Sequence, residues 1–177
     1  ILALLALPGC ATWQAPAPFD DTSLRTRAIT GQSRDVQVRA AVLGAEESRH
    51  VFGTDLEAAG VQAVWIEVRN NTQNSLWLQF QGMDPDHFSA HEVAWSAHVK
   101  VGGDTNARID DLFEELEFQN PVPRGQTRSG FVYTNPQAAV KLVNIDLLGN
   151  RVMVPLSLLV DVPGGGRRLS VLRAQRH

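Results

Sequence analysis

Apolar and polar residues alternate with a period of two in several stretches, and a helical period separates them. A strand is predicted at Asp35 to Leu43, where Val36, Val38, Ala40 and Val42 alternate with Gln37, Arg39 and Ala41. The pattern is stronger from Val61 to Arg69: Val64, Ile66 and Val68 face a core while Glu67 and Arg69 face water. Trp65 has the opposite parity to the three aliphatics, so it belongs on the other face of that strand and needs cover there. Asn70-Asn71-Thr72-Gln73-Asn74 reads as a turn, because Asn tolerates positive φ and bonds nearby backbone groups, and Leu76 to Phe80 is expected to return as the partner strand.

The period then changes. Ser89-Ala90-His91-Glu92 has the form of a capping box, which predicts a helix over about Ala90 to His98. A second helix is predicted over about Ala107 to Glu117. Its stripe of Ile109, Leu112, Phe113 and Leu116 would cover an apolar surface, with Trp65 the expected surface, while Asp110, Asp111, Glu114 and Glu115 form a solvated face. Asn120-Pro121-Val122-Pro123-Arg124-Gly125 ends that helix, and Thr127 to Thr134 resumes strand character with Phe131 and Tyr133 on one face. A hairpin follows. Val143, Ile145 and Leu147 lead into a tight turn at Gly149-Asn150, and Val152, Val154, Leu156, Leu158 and Val160 return. Pro155 cannot donate to a ladder, which places the returning strand at an edge or a bulge. The fold class expected is mainly β (α+β): an immunoglobulin-like β-sandwich over residues 35–163 with two inserted helices.

The start of the chain has no such alternation. Ile1 to Leu7 is an unbroken apolar run, too short to span a bilayer, and no initiator Met or basic leader precedes it, so residues 1–9 are expected to be part of a signal peptide. Leu7-Pro8-Gly9-Cys10 resembles a bacterial lipobox, with Pro8 departing from the usual small residue. The resemblance implies that Cys10 takes a diacylglyceryl group on its sulfur and becomes the mature N-terminus. Two or three acyl chains hold a protein firmly where one does not. Ala11 resembles the residue that directs Gram-negative lipoproteins to the outer membrane, since no Asp follows Cys10. Residues 10–34 read as a lipidated N-terminus and extended spacer, in which Trp13 either sits at the headgroups or docks on the domain. Residues 164–177 read as a basic flexible tail carrying Arg167, Arg168, Arg173 and Arg176.

Composition narrows the function classes. The chain of 177 residues is 44% hydrophobic, enough for one domain with a core. A net charge of −3 without a basic stripe in the central region argues against nucleic acid as a partner, and a single cysteine excludes an intramolecular disulfide. His87 and His91, at i and i+4 with Asp84, Asp86 and Glu92 nearby, are the candidate metal ligands. The capping box argues against them, since it puts His87 before the helix and His91 in its first turn, and Asp84-Pro85-Asp86 reads as a turn. No catalytic residues and no cofactor are expected: G-x-S-x-G, P-loop and H-E-x-x-H motifs are absent from the sequence.

Phe52-Gly53-Thr54-Asp55-Leu56, Gly60 to Asn70, Met83 to Ser89 and Glu92-Val93-Ala94 together resemble the LssY C-terminal-type domain of bacterial envelope proteins, over about the middle half of the chain. The resemblance implies an accessory extracytoplasmic module, and it implies that His87 stands at a packing position where that family carries an aromatic residue. The function expected is that of a membrane-anchored cell-envelope lipoprotein on the periplasmic side of the outer membrane. It would be a non-enzymatic module that binds or positions an envelope protein or lipid-linked ligand. The alternative is an envelope enzyme whose site is built from the Asp84 to Glu92 segment.

Overall fold

The computed structural model describes residues 13–79 and 87–164. The elements run α1 (Thr22–Arg27), β1 (Ile29–Ser33), β2 (Val36–Val42), α2 (Ala45–Phe52), β3 (Gln62–Asn70), β4 (Trp77–Gln79), α3 (Ala90–Ser96), α4 (Gly103–Leu116), β5 (Thr127–Thr134), β6 (Val140–Gly149) and β7 (Val152–Asp161). The described strands form two antiparallel sheets, one in the order β1-β2-β3-β5 and one in the order β4-β6-β7.

Strand parity sorts the apolar side chains into two cores. Val36, Val38, Ala40 and Val42 of β2 and Val64, Ile66 and Val68 of β3 meet Val143, Ile145, Leu147, Val154, Leu158 and Val160 between the sheets. The opposite parity, Ala41, Ala63, Trp65, Phe131 and Tyr133, forms a second core with Leu24, Phe52, Val93, Ile109, Phe113 and Leu116 from the helices. The chain therefore stacks a helical layer on the four-stranded sheet and the three-stranded sheet beneath it. Leaving the helical stripe wet would forgo roughly 1.5–3 kcal/mol for each large side chain. Both faces of β3 are buried for this reason.

Several sequence expectations are met closely. Helices occupy both predicted places between β4 and β5, β7 with Pro155 is an edge strand, and Trp65 lies beneath the helices at 0% exposure. The tight turn is one residue later than expected, at Asn150-Arg151, with Arg151 at φ 58°.

Other expectations are corrected. Leu76 to Phe80 was expected to pair with the strand before it, but both edges of β3 are taken, by β2 and β5, and β4 pairs with β6 in the other sheet. The Asn70 side chain carries the chain across: its amide donates to the carbonyls of Asn74, Val122 and Pro123, and its oxygen accepts from Thr72. The free edge of β4 is met by Asn120, whose side chain bonds both the N–H and the C=O of Leu78.

Glu67 was expected in water but is 7% exposed. Arg25 on α1 and Arg39 on β2 pair with its two carboxylate oxygens at 2.8 and 3.1 Å, and the Glu67 bond holds the Arg25 guanidinium above its ordinary pKa. The stretch read as an extended spacer up to Arg34 holds α1 and β1, with Leu24 buried, and α2 joins the two predicted helices in the helical layer.

Candidate functional site

The segment proposed for metal or enzyme chemistry is described from His87 onward. Ser89 caps α3 as expected: its Oγ accepts from the Glu92 N–H at 3.3 Å, and its own N–H donates to Glu92 Oε2 at 2.9 Å. That backbone bond, then the Ser89 hydroxyl bond and the neighbouring His87 and His91, lowers the Glu92 carboxyl below its ordinary pKa. His87 is half-buried two residues before the cap, His91 is exposed in the first turn, and Phe88 between them is pinned to β5 through its N–H bond to the Tyr133 carbonyl. Asp84 and Asp86 lie outside the described residues, as do Cys10 with residues 1–9, Ala11 and the basic tail from residue 165. Among the described residues no three His, Cys, Asp or Glu side chains gather as metal ligands would. No local pattern marks the pairing of His98 Nε2 with Asp110 Oδ1 at 2.9 Å, which ties the end of α3 to α4.

The N-terminal stretch from Trp13 is a strap across the helical layer. Trp13 Nε1 donates to the Phe52 carbonyl at 2.9 Å, where α2 ends. Gly53 follows at φ 70°, and a Cβ there would lie 2.6 Å from Trp13 Nε1, so glycine is required both by the backbone and by the ring. The Arg108 guanidinium stands 5.8 Å from the centre of the Trp13 ring, and Phe19 packs on Phe131 at 5.2 Å. Between the strap and α2 is a cleft of about 720 Å³ lined by Phe19, Asp20, Leu24, Glu47, Arg49 and His50. That is the size of a small-molecule site. Three of its charged groups are already engaged within the fold: Glu47 with Arg27 and the Gly44 N–H, Arg49 with Asp55, and Asp20 with Thr22.

The outer face of the three-stranded sheet is different in character. Trp77, Leu148 and Met153 form a row across β4, β6 and β7, and Leu142 and Leu159 form a cross-strand pair further along. Trp77 is 46%, Met153 55% and Leu159 67% exposed. Gln79, Asp146 and Pro155 in register, and Ser157 bonded to Asn144 at 2.7 Å, separate the two groups. With Val140 at its border, this face sets two exposed apolar groups side by side with a polar band between them. The alternation in the sequence marked only the inward residues, because outward apolar residues interspersed with polar ones do not stand out as a stripe.

Two buried polar atoms lie in the helical-layer core. Trp65 Nε1 and Tyr133 OH have no hydrogen-bond partner among the described residues. Burial, then the charge of Glu117, raises the Tyr133 phenol well above its ordinary pKa, so it stays protonated and is no general base. Tyr133→Phe removes an unsatisfied hydroxyl from a packed site, and is expected to leave stability unchanged or raise it by up to about 1 kcal/mol in urea denaturation. A loss above about 2 kcal/mol would show that a bonded partner holds the hydroxyl.

No helix among the described residues is long and apolar enough to cross a membrane. Comparison of the chain with protein-family models, with curated proteins and with solved structures returned no match.

Proposed function

We propose that this chain is a lipid-anchored module of the bacterial cell envelope, held to the periplasmic side of the outer membrane through Cys10, and that it binds a protein partner without catalysis. The single observation that carries the binding reading is the exposed apolar face of the β4-β6-β7 sheet. Buried sheet faces and exposed ones differ by what covers them: the four-stranded sheet of this chain has a packed core on each side, whereas the three-stranded sheet leaves a Trp, a Met and three Leu in water. A sheet face is broad and shallow. It suits the apolar surface of another protein better than a small lipid-linked molecule, which needs a concave site.

The anchor reading is supported by the apolar run before Leu7-Pro8-Gly9-Cys10. The accessory-module reading rests on the stretches Phe52 to Leu56, Gly60 to Asn70 and Met83 to Ser89, which resemble the LssY C-terminal-type domain. The described strands divide into four and three, as the strands of an immunoglobulin constant-type sandwich do. Here, however, β3 lies beside β2, where the fifth strand lies in that family, so the likeness is one of architecture and not of strand order.

In-cell photocrosslinking tests the binding reading. A photoreactive residue at Leu159 is expected to give one discrete adduct with an envelope protein, lost when Leu142→Asp is added, while the same residue at Glu114 on α4 gives none. Equal adducts at both places, or none at Leu159, would remove the sheet face as the binding surface.

A further inference from the structure

The strap has a direction, and the direction orients the domain. Trp13 lies at the level of Arg108 on α4, while Phe19 and Asp20 lie with Glu115, about two turns further along the same helix. The chain therefore enters at the N-terminal half of α4 and runs toward its C-terminal end. Only Ala11 and Thr12 separate Cys10 from Trp13, so three residue steps, at most about 11 Å, join the anchor to a ring fixed by a hydrogen bond and packing. A spacer of two dozen residues would leave the domain free to tumble; this one does not.

The same end of the helical layer carries the two most exposed large apolar side chains among the described residues. Val101, two residues before α4, is 94% exposed, and Trp95, at the end of α3, is 71% exposed. The turn that holds them is built: Asn106 bonds both the N–H and the C=O of Val99, and His98 bonds Asp110. Exposed Lys100 lies beside Val101, and exposed Arg108 is on the first half of α4. Asp104 is exposed in the first turn of α4, and the exposed acids Asp111, Glu114 and Glu115 follow toward the other end of the helix, with Glu115 by the far end of the strap. One end of the layer thus combines an aromatic ring, an apolar tip, two cations against a single exposed acid of α4, and the anchor's entry point. Trp at headgroup level and basic residues near anionic phosphates are the usual chemistry of a membrane surface.

Resting on the reading of Cys10 as lipidated, we infer that the α3–α4 turn lies against the phospholipid surface, with Trp95 and Val101 in the interfacial layer and Lys100 and Arg108 at the phosphates. The outer sheet face lies across two sheets from the helical layer, about 20 Å from it. The strap, not a flexible tether, sets this pose.

The test uses the full lipidated protein in vesicles of phosphatidylethanolamine and phosphatidylglycerol. Acylation occupies the Cys10 sulfur, so Val101→Cys or Ser157→Cys each gives one site for an environment-sensitive fluorophore. Both positions are exposed, so the fold is retained. Nitroxide-labelled lipid is expected to quench the fluorophore at position 101 several-fold more than at 157, with a blue-shifted emission at 101 only. Where intact mass shows the lipid on Cys10 but the two sites are quenched alike, or 157 more, the orientation is overturned and the anchor stands. Where intact mass shows no lipid, the anchor reading falls and the orientation falls with it.

Discussion

Replacing Trp65 with alanine is expected to lower the stability of the purified protein by about 3–5 kcal/mol in urea denaturation, the range for truncating a buried large aromatic. Trp65 is fully buried between β3 and the helices, among Phe131, Phe113, Ile109 and Leu116 of the same core, with the Arg25 guanidinium 5.8 Å from its ring centre. Truncation would leave a cavity beneath the helical layer and remove the ring on which Arg25 rests while that guanidinium reaches Glu67. The cost combines lost transfer energy with a void that close-packed helices cannot fully collapse into. The control is Trp77→Ala, a tryptophan of the outer sheet face that is 46% exposed, which should move the midpoint far less. If the two changes cost the same, the helical layer does not pack as described; if Trp65→Ala hardly matters, Trp65 belongs to a binding surface and the helices pack elsewhere.

That prediction was open to the sequence because it depends only on parity. Where a strand has one apolar face, a period of two places every residue, and Trp65 against Val64, Ile66 and Val68 is such a case. The two helices between β4 and β5 were legible for a similar reason: a capping box at Ser89 and an apolar stripe from Ile109 to Leu116 are local signals.

What stayed hidden was set by tertiary contact. β4 has only three residues, and its pairing with β6 and its Asn120 partner come from 42 or more positions away, so no local pattern announced them. The segment holding α1 looks like a spacer because its only buried residue in the helix is Leu24, and its place is fixed by the bond from Arg25 to Glu67, 42 positions on. The same pairing explains why Glu67 escaped a reading by polarity: a carboxylate between two guanidinium groups can be buried where a lone one cannot. For the binding site, the sequence pointed toward His87 and His91 by residue type, whereas the exposed sheet face emerges only when β4, β6 and β7 are set side by side.

The membrane anchor is the claim on which both the location and the pose depend, and fatty-acid labelling tests it most directly. The acyl transfer needs a thiol sulfur at position 10, and serine cannot supply one, so the effect of Cys10→Ser should be all or none and not graded. A single acyl chain would give only marginal, reversible binding, while the two or three that the lipobox chemistry installs give firm retention, at roughly 0.8 kcal/mol for each buried methylene. The full precursor is expressed in a bacterium with a clickable fatty-acid analogue, beside the Cys10→Ser form, and each is followed by label and by membrane fractionation. Lipidation at Cys10 predicts label and membrane retention for the natural sequence and loss of both for Cys10→Ser. Equal labelling of the two forms, or an unlabelled natural sequence, would contradict it.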